Sequence, residues 1–391
     1  MRIALVTDGI WPYVLGGMQK HSYYLCKYLA ANSVHVDLYH YNSSSSDIDQ
    51  LQHFSAGERA FIHPVVLTFP RSARFPGHYI YDSYRYAKIA GSHLLASGKQ
   101  YDLIYTKGFA GWFLLEQSRQ VRAKLGPIGV NFHGYEMFQK APGIKSLLQY
   151  IFFLRIPVKR LSNKADVVFS YGGKITPIIE SLGIPRSRII EMPTGVESSS
   201  IADGIMPSTD ITRFVFLGRY ERRKGIEELN SAISLLDPSL KKLSEFHFIG
   251  PIPGSKQNSG CIYHGAVMDA DRLRRLLRGC DVLVCPSWSE GMPNVILEAM
   301  SQGLAVVATN TGATSTMVHQ GNGWLLASAD PAAIRSTLEM VIRTPREKLD
   351  EKKHCALRLI SSELVWEKIA PRFIAQVRSF AESAKRTAVP D

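Results

Sequence analysis

Two carboxylates, Glu290 and Glu298, stand eight residues apart and could both accept hydrogen bonds from one ligand. Glu290 lies in the polar stretch Pro286–Asn294, and Glu298 follows among apolar residues. A carboxylate near apolar neighbours is costly to bury unless it is paired or accepts hydrogen bonds, and sugar hydroxyls are good donors to it. The pair therefore indicates a ribose at Glu298 and another sugar at Glu290. The alternative is a solvated Glu290 and a Glu298 that caps neighbouring backbone.

A strand and a helix must position these carboxylates. The apolar run Asp281–Cys285 predicts a buried strand, and Pro293 and Gly303 suit the first turn and the stop of a helix over about Pro293–Gln302. Ligands of open α/β sheets bind where strands end, and a helix's amino end attracts hydroxyl and phosphate oxygens. The unpaired amides of that end lie near Met292, Asn294 and Val295.

The stretch Glu290-Gly291-Met292-Pro293, followed by Glu298, resembles the signature of the family 4 retaining glycosyltransferases of the GT-B fold. The resemblance implies an α/β chain with two Rossmann-like domains facing each other across a cleft. It also implies a donor site for a nucleotide-diphosphate sugar, with no separate cofactor. The positions expected to bind this donor are Gly16, Gly17, Gly218, Arg219, Lys224, Val267, Glu290, Gly291, Met292, Pro293, Asn294 and Glu298.

Arg219 and Lys224 form a second constellation, five residues apart on a predicted strand-to-helix loop after the strand Arg213–Gly218. Two cations on such a loop can hold a diphosphate and neutralise the charge that grows on it as it leaves. Because Arg222 and Arg223 lie between them, a solvated basic loop is the alternative. The spacing matches the family's diphosphate-binding arginine and lysine, so the resemblance implies that role.

The chain opens with a predicted strand, Ile3–Thr7, and a helix over about Met18–Ala31, joined by a loop that ends in Gly16-Gly17. These glycines would let backbone approach a phosphate at the helix's amino end, and a plain turn is the alternative. No G-x-G-x-x-G follows the strand, which disfavours a dinucleotide site.

His133 follows the predicted strand Ile128–Phe132, at the sheet edge where a ligand would bind. A lone histidine is more often structural. Its position matches the histidine that family members place over the donor sugar, so the resemblance implies that its carbonyl and imidazole face the anomeric carbon. The same resemblance places the loop His264–Val267 beside the nucleotide base and Gly312 near the site.

The length of 391 residues exceeds one ordinary hydrophobic core, which favours two domains. We predict an acceptor-binding domain over residues 1–192, a connection over 193–212 and a nucleotide-sugar-binding domain over 213–371. A helix over about 372–391 is expected to cross back to the first domain, as is common in GT-B chains. The polar residues 42–60 are expected to form a surface excursion.

Cysteine usage and hydropathy favour a cytoplasmic protein. Five cysteines form no C-x-x-C pair, which is typical of reduced thiols. The opening residues lack the apolar core and cleavage site of a signal peptide, and no run approaches the roughly 18 apolar residues of a membrane span. No aspartate pair has metal-ligand spacing, so no metal is expected.

Positive charge is concentrated in the first half of the chain. Residues 1–200 hold 22 Lys and Arg against 13 Asp and Glu, whereas residues 201–391 hold 24 against 21. This excess fits an anionic lipid-linked acceptor at a membrane surface. The enzyme would then be either free in the cytoplasm or peripheral on the inner face of the membrane. The basic segment Ile144–Lys164 would contribute, or would pack beneath the next strand with its cations in water. Nucleic acid is disfavoured because no helix-turn-helix, RRM, KH or zinc pattern occurs.

Residues 71–88 mix cations with tyrosines and favour a half-buried helix, with acceptor contact as the alternative.

The motifs predict transfer of a hexose-type sugar to a glycan or lipid-linked hydroxyl, with retention, in bacterial-type polysaccharide, lipopolysaccharide or glycolipid assembly. The catalytic residues would be His133, Glu290, Arg219 and Lys224. A nucleotide-sugar epimerase or phosphorylase of the same fold, or a non-catalytic sugar-binding protein, is the alternative.

Overall fold

The computed structural model describes residues 1–14, 16–41, 51–73 and 75–387. Residues 42–50 of the predicted surface excursion lie outside the described residues, and the rest of it contains the short helix Ala56–Arg59. Across the described residues, no helix combines the length and apolar character needed to cross a bilayer.

Seven parallel strands form the first sheet, in the order β3-β2-β1-β4-β5-β6-β7. Most of its central strands are buried from end to end, as expected for apolar runs covered on both faces. The chain moves outward from β1 to β3 and then returns to β4, so the strand order reverses between β1 and β4. The strands are β1 Arg2–Val6, β2 His35–Tyr41, β3 Ile62–Leu67, β4 Leu103–Lys107, β5 Ile128–Asn131, β6 Val167–Ser170 and β7 Ile189–Glu191.

Six parallel strands form the second sheet, in the order β10-β9-β8-β11-β12-β13. Its order reverses between β8 and β11, which mirrors the first sheet. The two sheets confirm the predicted α/β architecture of two Rossmann-like domains. The strands are β8 Thr212–Leu217, β9 Ser244–Ile249, β10 Ile262–Tyr263, β11 Val282–Cys285, β12 Ala305–Thr309 and β13 Gly323–Leu326.

Helices connect most of the parallel strands, because a crossover between parallel neighbours needs a long connection. In the described residues the α-helices are α1 Gly17–Ala31, α2 Ala56–Arg59, α3 His78–Ala96, α4 Trp112–Glu116, α5 Arg119–Leu125, α6 Ile144–Gln149, α7 Arg155–Lys164, α8 Ile175–Ser181, α9 Ile226–Ser234, α10 Pro238–Lys241, α11 Ala270–Arg278, α12 Asn294–Ser301, α13 Pro331–Ile342, α14 Arg346–Glu363 and α15 Trp366–Thr387. A π turn, Tyr150–Leu154, joins α6 to α7. The helix α3 buries Tyr86 and exposes Tyr81 and Tyr84, as a half-buried helix does.

The last helix, α15, packs against the first sheet's domain. Trp366 stacks on Tyr24 and Tyr28 of α1, and Phe373 meets the ring of Tyr105 in β4. These residues share one buried cluster with the strands of the first sheet. The crossing helix begins at Trp366, earlier than the predicted start at about residue 372. The chain therefore passes twice between the two domains.

Candidate active site

The candidate site lies where both sheets reverse their strand order. The loops after β1 and β4 in the first domain, and after β8 and β11 in the second, leave the sheets at these two points. Such switch points are where open α/β sheets leave a crevice for a ligand. Contacts between the loops of the two domains then define a shared cleft.

Glu290 lies buried in the loop between β11 and α12, where two cations bind it. Lys224 Nζ lies 2.7 Å from Glu290 Oε1, and Arg223 Nη1 lies 3.2 Å from Oε2. Burial by itself would raise the pKa of Glu290, but the charges of Lys224 and Arg223 outweigh it and hold the pKa below its ordinary value. The site therefore holds an ionised carboxylate beside two cations, which suits a ligand with both hydroxyls and phosphates.

Two glycines allow backbone from other loops to touch the Glu290 loop. A Cβ on Gly312 would overlap the carbonyl oxygens of Glu290 and Gly291, and Gly312 has a φ of +52°. A Cβ on Gly134 would lie 2.6 Å from the backbone nitrogen of Gly291. Gly134 belongs to the first domain, so the domains meet here without intervening side chains.

His133 stands just beyond β5, in the left-handed conformation that a non-glycine residue seldom adopts, with a φ of 58°. Its N–H donates to Asn131 Oδ1 at 2.7 Å, and its Nδ1 lies 2.7 Å from the Tyr171 hydroxyl. Its Nε2 is buried and has no hydrogen-bond partner in the described part of the chain. Burial, followed by the charge of Lys107, lowers the pKa of His133 well below its ordinary value. The ring is therefore neutral and fixed, with one nitrogen available to a ligand.

The amino ends of α1 and α12 face each other across the cleft. A Cβ on Gly17 would lie 3.3 Å from Asn294 Nδ2, and Lys20 Nζ in α1 lies 2.5 Å from Glu298 Oε1 in α12. Both ends carry unpaired amides and the positive end of a helix dipole. Two such ends in one place favour an anion with several oxygens, such as a diphosphate.

The helix α12 begins one residue later than predicted. Pro293 is its N-cap residue, in an extended conformation, and the helical residues are Asn294–Ser301. Gly303 follows with a φ of 80°, which is the predicted left-handed stop. Met292, just before the cap, is buried, and its sulfur accepts a hydrogen bond from the Thr194 N–H at 3.3 Å.

The two predicted diphosphate cations are not brought together. Lys224 binds the buried Glu290, whereas the Arg219 side chain is 72% exposed and pairs with Glu221 at 2.8 Å. Arg219 would have to leave Glu221 before it could contact a ligand beside Lys224. Its role in diphosphate binding stays a prediction.

Gly218 and Val267, two further predicted donor contacts, follow the carboxyl ends of β8 and β10 in the second sheet. Gly218 donates its N–H to the Ile249 carbonyl at 2.9 Å, and its own carbonyl lies where a Cβ on Gly250 would be. Val267 packs, partly buried, against the core. Their contacts with a nucleotide stay predictions.

Three residues that the sequence analysis did not select join the domains at Glu290. Arg223 Nη1 lies 3.4 Å from Glu136 Oε1, and Gln139 Nε2 donates to the carbonyls of Gly134 and Glu290 at 2.6 and 2.7 Å. Arg223 is one of four cations within six positions, and no pattern separates it from Arg222. Glu136 could have been selected from the sequence, because it stands three residues after His133, which was already a candidate site residue.

A buried cation, Lys107 at the end of β4, lies near His133. Its Nζ lies 2.6 Å from His21 Nδ1 and 3.2 Å from the Met18 carbonyl oxygen. The His21 and His133 rings are 6.0 Å apart. Burial lowers the pKa of Lys107, and burial and the charge of Lys107 lower that of His21. Neutral imidazoles therefore line this side of the cleft.

The described residues contain no group of three His, Cys, Asp or Glu placed to hold a metal ion.

Two Rossmann-like domains with a shared cleft define a GT-B protein, and solved structures agree. Sucrose-phosphate synthase from Thermosynechococcus elongatus superposes with a TM-score of 0.72 at 18% identity, over 98% of this chain and 99% of that chain. Anabaena HepE, in complex with UDP and glucose, superposes with a TM-score of 0.65 at 16% identity, over 97% and 100%. At these identities the likeness shows the fold alone.

Two family models match most of the chain, one in each domain. The model for Glycosyltransferase Family 4 matches residues 15–200, and the model for Glycosyl transferases group 1 matches residues 211–344. The gap between the matches lies between β7 and β8, where the chain passes from one sheet to the other. The chain belongs to the family 4, group 1 glycosyltransferases.

Two curated relatives are similar over part of the chain. TuaC of Bacillus subtilis, a glycosyltransferase provisionally assigned to teichuronic acid biosynthesis, is 28% identical over 201 residues, which are 49% of this chain and 50% of TuaC. The phosphatidyl-myo-inositol mannosyltransferase of Propionibacterium freudenreichii is 30% identical over 224 residues, which are 55% and 53%. The chain thus spans about half the length of the curated relatives it matches.

Proposed function

We propose that this protein transfers a hexose-type sugar from a nucleotide-diphosphate sugar to a hydroxyl of an acceptor, with retention of anomeric configuration. The observation that carries the proposal is the convergence on buried Glu290 of Lys224, Arg223 and the loop that begins at His133. Membership of the glycosyltransferase family supports the same activity.

The proposed donor site extends along the cleft from α12 to the Glu290 loop. Glu298 accepts hydrogen bonds from the ribose after it releases Lys20. The facing amino ends of α1 and α12 bind the diphosphate, with Lys224 and with Arg219 turned inward. Glu290 then accepts hydrogen bonds from hydroxyls of the transferred sugar, because a buried ionised carboxylate needs strong donors.

The proposed reaction is a substitution on one face of the sugar. The bond between the anomeric carbon and the diphosphate oxygen breaks while the acceptor oxygen bonds to the same face. The acceptor proton passes to the departing phosphate oxygen. Lys224 and the helix amides stabilise the charge on the diphosphate, so the proposal requires no metal. His133 lies over the anomeric carbon, where its carbonyl and neutral ring orient the sugar.

The proposed acceptor is a glycan or a lipid-linked sugar at an anionic membrane surface, on the cytoplasmic face. The names of the relatives support this class, since one acts on phosphatidyl-myo-inositol and another is assigned to a teichuronic acid. The positive excess of residues 1–200 supports an anionic partner. The cellular role would be assembly of a polysaccharide, lipopolysaccharide or glycolipid.

A thermal-shift screen of UDP, GDP, ADP and their sugars tests the donor proposal, because a ligand that binds only the folded state raises its apparent stability. The donor that raises Tm is then incubated with acceptor in excess EDTA, and the product's anomeric configuration is read by NMR. Retention without added metal is expected. An epimerised donor, or a sugar phosphate formed with inorganic phosphate, would indicate another enzyme. Absence of any nucleotide-induced shift would contradict the proposal.

A further inference from the structure

A stripe of apolar side chains on α6, the π turn and the start of α7 faces solvent. Apolar residues at spacings of three and four usually mark the buried face of a helix. Here Ile144 is 78% exposed, Phe152 69% and Ile156 71%. The described residues contain eighteen exposed large apolar side chains, and seven of them lie between positions 144 and 156. We call this set the outer stripe: Ile144, Leu147, Leu148, Ile151, Phe152, Phe153 and Ile156.

The opposite side of the same segment is firmly held. Tyr150 and Val158 are buried, and Gln149 Nε2 donates to the Tyr79 hydroxyl at 2.9 Å. Arg155 Nε donates to the Met137 carbonyl at 2.8 Å. The outer stripe is therefore an ordered surface, and its exposure does not come from a frayed end.

The segment also carries positive charge. Residues 144–164 contain five Lys and Arg and no Asp or Glu. Arg160 and Lys164 share Glu116, whereas Lys145 and Lys159 are exposed and form no ion pair within the described residues. Apolar and aromatic side chains flanked by free lysines are the composition of helices that lie in a membrane interface. These positive charges attract anionic headgroups, whereas they give no attraction to a neutral partner and repel a basic one.

The outer stripe lies near the candidate active site. The inward side chain Tyr150 is buried, and burial raises its pKa, as does the charge of Glu136, whereas the charge of Arg223 lowers it. Arg155 binds the carbonyl of Met137, in the loop that follows His133. A surface that docks the stripe would therefore lie at the rim of the cleft, on the side of the first domain.

We propose that the outer stripe is a bilayer-docking surface that enters the interfacial layer of a membrane rich in anionic lipid, with Lys145 and Lys159 on the headgroups. The idea that the outer stripe brings the cleft to a lipid-linked acceptor rests on the proposed function. Binding of the outer stripe to the membrane does not rest on it, because that binding needs neither donor nor sugar transfer.

The test measures cosedimentation of the full chain with vesicles, without donor. Binding to vesicles of equal phosphatidylglycerol and phosphatidylcholine is expected at low salt, and little binding to phosphatidylcholine alone. The triple variant Ile144→Ser, Phe152→Ser, Ile156→Ser should bind the anionic vesicles about tenfold or more weakly. A matched control replaces three exposed apolar residues outside the first domain, Met206→Ser in the connection and Leu235→Ser and Met340→Ser in the second domain, and should bind normally. The double variant Lys145→Gln, Lys159→Gln should also bind the anionic vesicles more weakly. Its loss of binding should be largest at low salt, because higher salt screens the lysine charges in the unaltered protein.

Several outcomes would overturn the inference. One is failure of the unaltered protein to bind anionic vesicles at low salt, and another is equal binding by the stripe variant and the unaltered protein. A dimer that the stripe variant converts to a monomer, with vesicle binding unchanged, would assign the surface to a second copy of the chain. Tm shifts with UDP, GDP and ADP, measured on every variant, keep the two proposals apart. Lost vesicle binding with a retained nucleotide shift supports docking alone, and vesicle binding without any nucleotide shift contradicts only the proposed function.

Discussion

Lys224 has two possible partners, because it neutralises a buried carboxylate in the free protein and would meet the diphosphate in the complex. Replacement by alanine should therefore reduce kcat/KM by about 100- to 1,000-fold, the usual cost of one preorganised contact to a leaving group. The measurement is steady-state transfer with the donor identified by thermal shift. Arg223 remains on Glu290 at 3.2 Å, so the fold should survive.

Lys242→Ala is the matched control, because Lys242 is an exposed lysine of the same domain outside the cleft. It should leave kcat/KM unchanged. Near-normal transfer by Lys224→Ala would contradict the diphosphate role.

The two glutamates should separate binding from turnover. Glu298→Gln should weaken the affinity for a bare nucleoside diphosphate, because its proposed partner is the ribose. Glu290→Gln should keep that affinity and lower kcat, because its proposed partner is the transferred sugar. Calorimetric titration with the nucleoside diphosphate and transfer assays measure the two effects. Loss of turnover in both variants with unchanged nucleotide affinity would refute the ribose role.

At the scale of elements, the loop that carries Gly312 fixes the position of the Glu290 loop. Gly312→Ala should lower kcat strongly, because the added methyl overlaps the Glu290 and Gly291 carbonyls and the φ of +52° is strained for alanine. Transfer assays and Tm measure the effect. Gly254→Ala is the control, since nothing lies within 4 Å of its added Cβ. Equal turnover in the two variants would show that the contact does not position Glu290.

Local sequence signals were enough to predict the elements around Glu290. An apolar run predicted β11, and proline and glycine marked the ends of α12 to within one residue. The choice between Arg219 and Arg223 was not predictable, because it depends on which side chain of a basic loop meets carboxylates from both domains. Glu136 supplies one of these carboxylates from a segment 87 residues earlier in the chain.

The outer stripe shows a second limit. The sequence left the segment Ile144–Lys164 either at a membrane or packed beneath the next strand with its cations in water, and amphipathic helices usually turn their apolar face inward. The spacing of apolar residues shows that a helix has one apolar and one polar face, but it does not show which face packs against the rest of the protein. Here the inward face is defined by Tyr150 and Val158.

At the scale of the whole molecule, the Lys20–Glu298 ion pair joins the two domains across the proposed ribose site at 2.5 Å. Lys20→Gln should bind a nucleoside diphosphate about 1.5- to 5-fold more tightly, because a partly exposed pair of about 0.2–1 kcal/mol no longer competes. Calorimetric titration measures the affinity. Lys27→Gln is the control, since Lys27 lies in α1 with Lys20 but pairs with Glu197 and not with Glu298. Weaker binding of the nucleoside diphosphate would contradict competition between Lys20 and the ribose for Glu298. It would indicate instead that Lys20 itself contacts the donor.

Stability should fall as the pH drops below about 6.5, because buried histidines resist protonation. Burial lowers the pKa of His21 and His133, and that of His40 to about 4. Below their ordinary value of 6.5, the unfolded chain binds protons that the folded chain does not. Each such histidine lowers the free energy of unfolding by up to about 1.4 kcal/mol per pH unit until its folded pKa is reached.

Urea unfolding between pH 7.5 and 5 tests this dependence. His40→Gln should reduce the loss of stability across that range, whereas His354→Gln, at an exposed position, should not. A flat profile for the unaltered protein would contradict the prediction.

The π turn Tyr150–Leu154 sets the rotational phase of the helix that follows it. Pro157 has no N–H for the carbonyl four residues earlier, and the wider turn just before it adds one residue. One extra residue delays the helix by about 100°. Ile156 therefore stays on the solvent side, while Val158 and Leu161 return to the buried side. Deleting one residue from the turn would rotate α7 by about 100° and move Val158 and Leu161 away from the buried side. This surface segment should therefore tolerate substitutions far better than changes of length.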